Sequence, residues 1–535
     1  MNTFSKRLYS FSCKFIQLCS LILTFMLFAG AFVCTCYSDN METQLVLSEW
    51  DNPLWGFLGL IAFLTILGGM IHLFFKGPAS PIKIIRSLIL LWCIGLGGVL
   101  IVFSKTVPAA DALSVYSAAE VLAAGDTSVI HPTTSYLSYY PQQIGLTAFY
   151  EILIRIWNLI PFDVPAYHFI KCVYVVLLCV IIYFQEQTVH LLWKNEKADC
   201  IYLLLIGTNL PFIMYSSFVY GEIPSFAAAS IGFYYLLKLL DQRKPFKKRI
   251  FHAVFTVLEL SLSVMLRKNN LILLIAALIV ILLEWIKSRR HELLLLGLLC
   301  GICGFFILPL VQKGYELRSG SELSSGVTAT SYLAMGMQES SRANGWYNGF
   351  NFVTYQESGL NTDIANEISK RAISERLHYF KEHPGYAANF YLYKHLSQWT
   401  DGTYASRQAT IATYGGRSSF FNSLYEGTLS SIFIGYCNIY QNILYLGALI
   451  CFSLLWRDQR KKRSVPTLQL YLGSIAVVGG FLFHIFWEAN SRYIFLYSLL
   501  LLPYTAKGLS SLMIHFAAKD SRKATESAQH ADVTP

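Results

Sequence analysis

Residues 103–126, FSKTVPAADALSVYSAAEVLAAGD, close an apolar run and set an aspartate, Asp111, just beyond it. Pro108 suits a helix start, Asp111 falls in the first turn and Gly125 can close it, so the stretch predicts a short helix lying on a membrane surface. A carboxylate in that turn is favoured by the helix dipole by ~0.3 to 1 kcal/mol. The same position serves a general base or a metal ligand. Which side of the membrane it faces depends on the rest of the chain.

Of the 535 residues 54% are apolar and 14% charged, and many separate runs reach the ~17 to 25 apolar residues that span a bilayer. A soluble domain would not repeat them, so the chain is an all-α polytopic membrane protein with the lipid bilayer as its medium. The net charge of +10 sits in short Lys/Arg clusters between apolar runs, which excludes a nucleic-acid partner and orients the spans instead. Lys6, Arg7 and Lys14 precede the first run, about 15–36, and the next connection, SDNMETQLVLSEWDN, has no Lys or Arg. Ala29, Gly30 and Ala31 fit a signal-peptide pattern, but the length of the run favours an uncleaved span. Spans near 55–75 and 87–104 follow, separated by Lys76, Lys83 and Arg86, and the second of them delivers Asp111 to the outer surface. Further spans near 166–190, 200–219, 223–240, 250–266, 270–286, 293–312, 430–455, 466–486 and 492–513 complete about twelve, with both termini inside.

This divides the chain into an N-terminal transmembrane hairpin (1–86), a core (87–312) whose outer loop is 105–165, an extracellular segment (313–429), C-terminal spans (430–513) and a polar cytoplasmic tail (514–535). The first outer loop continues to Pro141, which opens a second, interfacial helix over about 142–160 with Glu151 and Arg155 at helical spacing. In the long segment, TDIANEISKRAISERLHYFKEH and PGYAANFYLYKHLSQW read as two helices, and MGMQESSRANGWYNGFNFVTY reads as a loop fit for a substrate lid. The twelve cysteines lie in or beside spans, with no disulfide framework and no zinc spacing; Cys34 and Cys36 can pair or stay free.

Chemistry-bearing residues concentrate on the outer side. Glu488, Arg492 and Tyr493 occur in HIFWEANSRYIFLYSLLLLP; Ser491 is placed to cap the last span, and a helical hairpin would align His484, Glu488 and Arg492. They form an interfacial ion pair with a Tyr anchor, or hold a lipid phosphate. Arg267 and Lys268 break the charge rule and call for an anion or for snorkelling. Glu259 is costly in mid-span and should face the bundle interior, and Glu222 in VYGEIPS is a candidate of the same type. Tyr140, before Pro141, is a binding candidate or a headgroup aromatic; His131, His378, His383 and His395 share no ligand spacing.

An outer acid with anion-holding cations suggests a lipid-phosphate substrate, and no Gly-rich phosphate loop or large cytosolic loop exists to hold a nucleotide sugar. The order PAADALSVYSAAEV, YYPQQIGLTAFYEIL and EANSRYIFLYSLLLLP resembles the integral-membrane type-C (GT-C) glycosyltransferases, near the protein mannosyltransferase and aminoarabinose transferase branch. The resemblance implies a GT-C fold, a polyprenyl-phosphate sugar donor and a glycan or lipid-linked acceptor in a bacterial cell membrane. It also implies catalysis by Asp111, with Arg492, Tyr493 and Arg267 near the carrier phosphate. Cell-wall or capsular polysaccharide biosynthesis is the implied setting. This chain departs from the pattern in having two spans before the Asp-bearing loop and one acid, not a pair, at 111, so no cofactor is certain and a divalent metal stays open. A flippase of lipid-linked saccharides and a polysaccharide polymerase or ligase are the alternatives.

Overall fold

A computed structural model describes residues 3–39, 44–76, 80–241, 245–413, 415–461 and 467–531, with side chains up to Met513 except those of Thr3, Phe4 and Phe246. Residues 40–43 of the acidic connection, Lys244, Lys462, Arg463, the end of the tail and the tail's side chains lie outside the described residues.

The long uncharged runs become helices because in hydrocarbon every backbone N–H and C=O must be satisfied within its own segment. Helix α1 (Thr3–Val33) leads into two short antiparallel strands, β1 (Cys34–Ser38) and β2 (Val46–Trp50), paired from Cys34↔Trp50 to Ser38↔Val46. The expected acidic connection is therefore a β-hairpin. Helices α2 (Pro53–Phe74), α3 (Ile82–Phe103), α4 (Ala110–Ala123), α5 (Tyr136–Tyr139), α6 (Ile144–Trp157) and α7 (Ala166–Trp193) follow. Asn52 caps α2, its side chain accepting from Leu54 N–H at 3.0 Å, with Pro53 at the first helical position.

The span expected near 200–219 is broken into α8 (Glu196–Thr208) and α9 (Leu210–Met214), the two limbs bent by 59°. Asn209 sits at the break, its side chain accepting from Phe212 N–H at 3.1 Å. Then come α10 (Glu222–Leu240), α11 (Phe246–Leu266), α12 (Leu271–Ser288) and α13 (His291–Ser319). The loop-rich segment holds α14 (Ala329–Gly336), α15 (Phe350–Glu357), α16 (Thr362–Glu382), α17 (Pro384–Trp399), α18 (Ser406–Thr410) and α19 (Ser419–Glu426). Finally α20 (Thr428–Arg460), α21 (Leu472–Phe486) and α22 (Ser491–Ala531) close the bundle.

Among the described residues ten helices are long and apolar enough to cross a membrane, eleven if the bent pair is one span, so the chain is a multi-pass membrane protein. The twelfth expected span, 492–513, is the first part of α22, which is not among those helices; it packs against α20, α8 and α21 and buries Leu496, Leu499, Leu500, Leu501 and Leu502. Two boundaries move: α13 runs to Ser319, beyond the expected 312, and the last six residues of the expected lid, 350–355, are helical as part of α15. Successive spans put the turns after α1, α3, α9, α11, α13 and α21 at one end of the bundle, together with α14–α19. The basic turns lie at the other.

Candidate functional site

The segment entering α4 is fixed before Asp111 is reached. Thr106 Oγ1 donates to the Thr410 carbonyl (2.9 Å), Val107 N–H to that of Ala412 (2.9 Å), and the buried Lys171 of α7 donates its ammonium to the Thr106 carbonyl. Ala110 has φ +49°, a left-handed conformation that costs a non-glycine residue ~1 to 3 kcal/mol and turns the chain into the helix one residue before Asp111. Ala112, Val115, Tyr116, Ala119 and Leu122 pin the opposite face of α4 in the core. Asp111 is left exposed to a cavity of about 610 Å³ at the loop-rich end.

Two arginines reach the same cavity from the bundle. Arg267 ends α11, and Arg492 lies in the first turn of α22, its N–H bonded to the Asn490 side chain at 2.9 Å. Asn490, not Ser491, therefore caps that helix. The Ser491 hydroxyl instead donates to Asp401 (2.6 Å), a buried carboxylate that also takes Thr403 Oγ1 (2.6 Å) and anchors the start of α22. Behind the arginines stands Glu222, fully buried at the first position of α10, 2.5 Å from Arg267 Nη1 and 3.5 Å from Arg492 Nε. Gly221 allows this close approach, since a Cβ there would lie 2.8 Å from the Leu266 carbonyl oxygen. Neither Glu222 oxygen makes a hydrogen bond among the described residues, so the contact is Coulombic. Arg492 also stacks near Phe218, Tyr220 and Tyr493, with ring centroids at 5.5, 5.3 and 5.6 Å.

Glu488 lies in the α21–α22 turn, and Trp487 is extended (φ −72°, ψ 161°), so the hairpin is not helical and His484, Glu488 and Arg492 share no helix face. Its carboxylate accepts from Tyr493 Oη at 3.3 Å. Burial pushes the Glu488 carboxyl up to about 7; Arg492 opposes the rise and the Asp111 carboxylate adds to it. The turn is held from outside by Lys394 of α17, whose buried ammonium donates to the carbonyls of Gly336, Ile485 (2.9 Å) and Trp487 (2.8 Å). Burial lowers the Lys394 amine to about 7, against the pull of Glu488.

The loop between α14 and α15, read as a lid, lines the cavity and is tied down. Ala489 N–H donates to the Gly345 carbonyl (2.7 Å), and Trp346 Nε1 donates to Ser397 Oγ (2.9 Å). Gly345 has φ +72°, and a Cβ there would stand 2.7 Å from Lys394 carbons. Arg342 and Tyr347 of this loop, Gln143 and Tyr220 from the bundle, and Ser38 and Gln44 from the β-hairpin complete the wall.

Of the residues singled out from sequence, Asp111, Tyr140, Arg267, Lys268, Glu488, Arg492 and Tyr493 line this one cavity, and Glu222 supports it from behind. Glu259 is not there; it is half-buried along α11. None of His131, His378, His383 and His395 reaches the cavity. Arg342 and Lys394 were missed: the first lay in a loop read only as a lid, the second was a lone cation in the aromatic run FYLYKHL. Asp111 and Glu488 are the acids of the lining, and among the described residues no three His, Cys, Asp or Glu side chains converge as a metal cage.

Neither a protein family nor a curated protein matches the chain. Among solved structures, it is similar to the archaeal oligosaccharyltransferase AglB from Archaeoglobus fulgidus in complex with an inhibitory peptide and a dolichol-phosphate, at 13% identity and a TM-score of 0.44, over 84% of this chain and 52% of that one. It is also similar to ArnT from Cupriavidus metallidurans bound to undecaprenyl phosphate, at 10% identity and a TM-score of 0.33, over 81% of this chain and 78% of that one. The chain thus spans about half the length of AglB.

Proposed function

We propose that the chain is an integral-membrane glycosyltransferase of type-C fold that moves a sugar from a polyprenyl-phosphate carrier to an acceptor hydroxyl on the extracellular side of a bacterial cell membrane. A cell-wall or capsular glycopolymer, or its lipid-linked precursor, is the acceptor this reading favours. The observation that carries it is one cavity, beside the apolar ends of α11 and α12, that joins Asp111 to the paired guanidiniums of Arg267 and Arg492. The basic turns at the opposite end, such as Lys287 to Arg290, support an extracellular site by the charge rule.

In the reaction the acceptor oxygen attacks the anomeric carbon from the face opposite the phosphate, and the bond from that carbon to the phosphate oxygen breaks. Asp111 takes the hydroxyl proton. The phosphodiester, singly negative, leaves as a monoester with a second charge, and Arg267 and Arg492 stabilise the charge as it grows. Tyr493 and Glu222 hold the two guanidiniums in place.

The test is purified protein in nanodiscs given undecaprenyl-phosphate-linked hexose and a glycan acceptor. Wild type should release undecaprenyl phosphate with formation of a glycosylated acceptor, and Asp111→Asn should be slower by ~10²-fold or more. Near-normal turnover by Asp111→Asn removes the catalytic assignment. Movement of the intact lipid-linked saccharide across the bilayer without bond cleavage would leave the flippase reading standing in its place.

A further inference from the structure

The cavity has cations on two sides, and only on the bundle side do they touch a protein carboxylate. On the bundle side, the guanidiniums of Arg267 and Arg492 and the ammonium of Lys268 stand against one buried carboxylate, Glu222, which leaves two positive charges for the two negative charges of the departing phosphate monoester. On the loop side stands Arg342. Its guanidinium lies 5.1 Å from the Tyr347 ring centroid and makes no hydrogen bond or ion pair among the described residues.

The backbone beneath that side chain is pinned on both sides. Arg342 N–H donates to Ser340 Oγ (3.1 Å), Ser340 Oγ donates to the Tyr347 carbonyl (2.9 Å), and the Arg342 carbonyl accepts from Val46 N–H of the β-hairpin (3.0 Å). A half-buried arginine, held in position and stacked on an aromatic ring with no protein anion in contact, is poised for an anion from outside. Arg342 lines the same cavity as Asp111 and Glu488, so it opens on the proposed reacting centre.

We infer that Arg342 binds an anionic group of the acceptor, a phosphodiester or a carboxylate, with Tyr347 as its platform, while the acceptor hydroxyl meets Asp111. The inference rests on the transferase reading proposed above and names the class of acceptor it uses: an acidic glycan or polyol phosphate, not a neutral one. The donor phosphate does not need Arg342, because the bundle-side cations already match its charge. Arg342 therefore acts as a specificity residue for the second substrate.

The experiment uses the full chain in nanodiscs saturated with undecaprenyl phosphate, so that the bundle side is filled. Bis(glycerol) phosphate, glucuronate and uncharged glycerol are titrated in turn, read by the fluorescence of Trp346 and Trp487, which line the cavity. At least one anion should bind and glycerol should not; the stronger anion identifies phosphate or carboxylate as the acceptor's group. Arg342→Gln should weaken that anion by ~10- to 100-fold, with undecaprenyl phosphate affinity changed by less than ~3-fold, and Arg342→Lys should keep part of the binding. If Arg342→Gln is poorly folded, Tyr347→Leu should still weaken the anion by ~3-fold or more. Wild-type affinity for the anions in both Arg342→Gln and Tyr347→Leu, or equal binding of glycerol, overturns the inference. Failure of wild type to bind undecaprenyl phosphate would instead strike the donor reading, a separate result.

Discussion

Two buried glutamates each face two arginines, and the contrast between them separates scaffold from site. Glu151 of α6 accepts from Arg155 Nε (2.9 Å), Arg318 Nη1 (2.6 Å) and Tyr315 Oη (2.5 Å), and both arginines donate onward to the Leu122 carbonyl at the end of α4. Every partner is spoken for, and the cluster clamps α4, α6 and α13 together. Glu222 touches its two arginines by charge alone, with its oxygens outside any hydrogen bond among the described residues. A saturated network holds a shape, whereas an unsaturated one beside a cavity keeps its donors free for a ligand anion.

Replacing one arginine of the open cluster should break that contrast most severely. Arg492→Gln is expected to lower turnover by ~10²- to 10³-fold, through loss of a donor to the departing phosphate, measured as undecaprenyl phosphate released per folded molecule. A loss of less than about fivefold would reduce the open cluster to scaffold. The two acids sharpen the comparison further. Glu222→Gln leaves buried like charges side by side and should cost ~3 kcal/mol of stability. Glu151→Gln should cost ~1 to 2 kcal/mol, because Arg155 and Arg318 are 47% and 35% exposed. Added undecaprenyl phosphate should restore the melting temperature of Glu222→Gln and leave that of Glu151→Gln low; rescue of both, or of neither, contradicts the distinction.

The smallest effect concerns pH. Glu488 ordinarily titrates near 4.5 and is raised to about 7 here, so between those values the folded chain keeps a proton that the unfolded chain gives up. Its contribution to stability is full below pH 4.5 and is lost as pH rises through about 7. The slope is at most ~1.4 kcal/mol per pH unit. Thermal melts of wild type against Glu488→Gln should show that slope in the former and a flatter one in the latter; identical profiles would mean that Glu488 is not buried as described.

The helices were legible because spanning a bilayer demands long uncharged runs, and Asp111 and the Arg267–Lys268 pair stood out because each breaks such a run at its end. The β-hairpin was not, since CTCYS and VLSEW are too short to carry a two-residue period. Glu222 could be suspected from its cost, but its link to Arg492, 270 positions away, belongs to packing. Arg342 and Lys394 were hidden for the same reason. A lone cation in a loop or an aromatic helix gains its meaning from what the fold brings to it: three carbonyls for Lys394, a cavity with no protein anion in contact among the described residues for Arg342.

The hairpin between the first two spans carries a consequence for the chain's economy. Ser38 takes hydrogen bonds from Arg407 (3.4 Å) and Gln408 (2.7 Å), Cys36 N–H reaches the Thr400 carbonyl (3.2 Å), and Val46 braces Arg342 (3.0 Å). The leading pair of membrane crossings is thus no detachable anchor. Deleting it would strip a wall from the cavity while leaving Asp111 itself untouched.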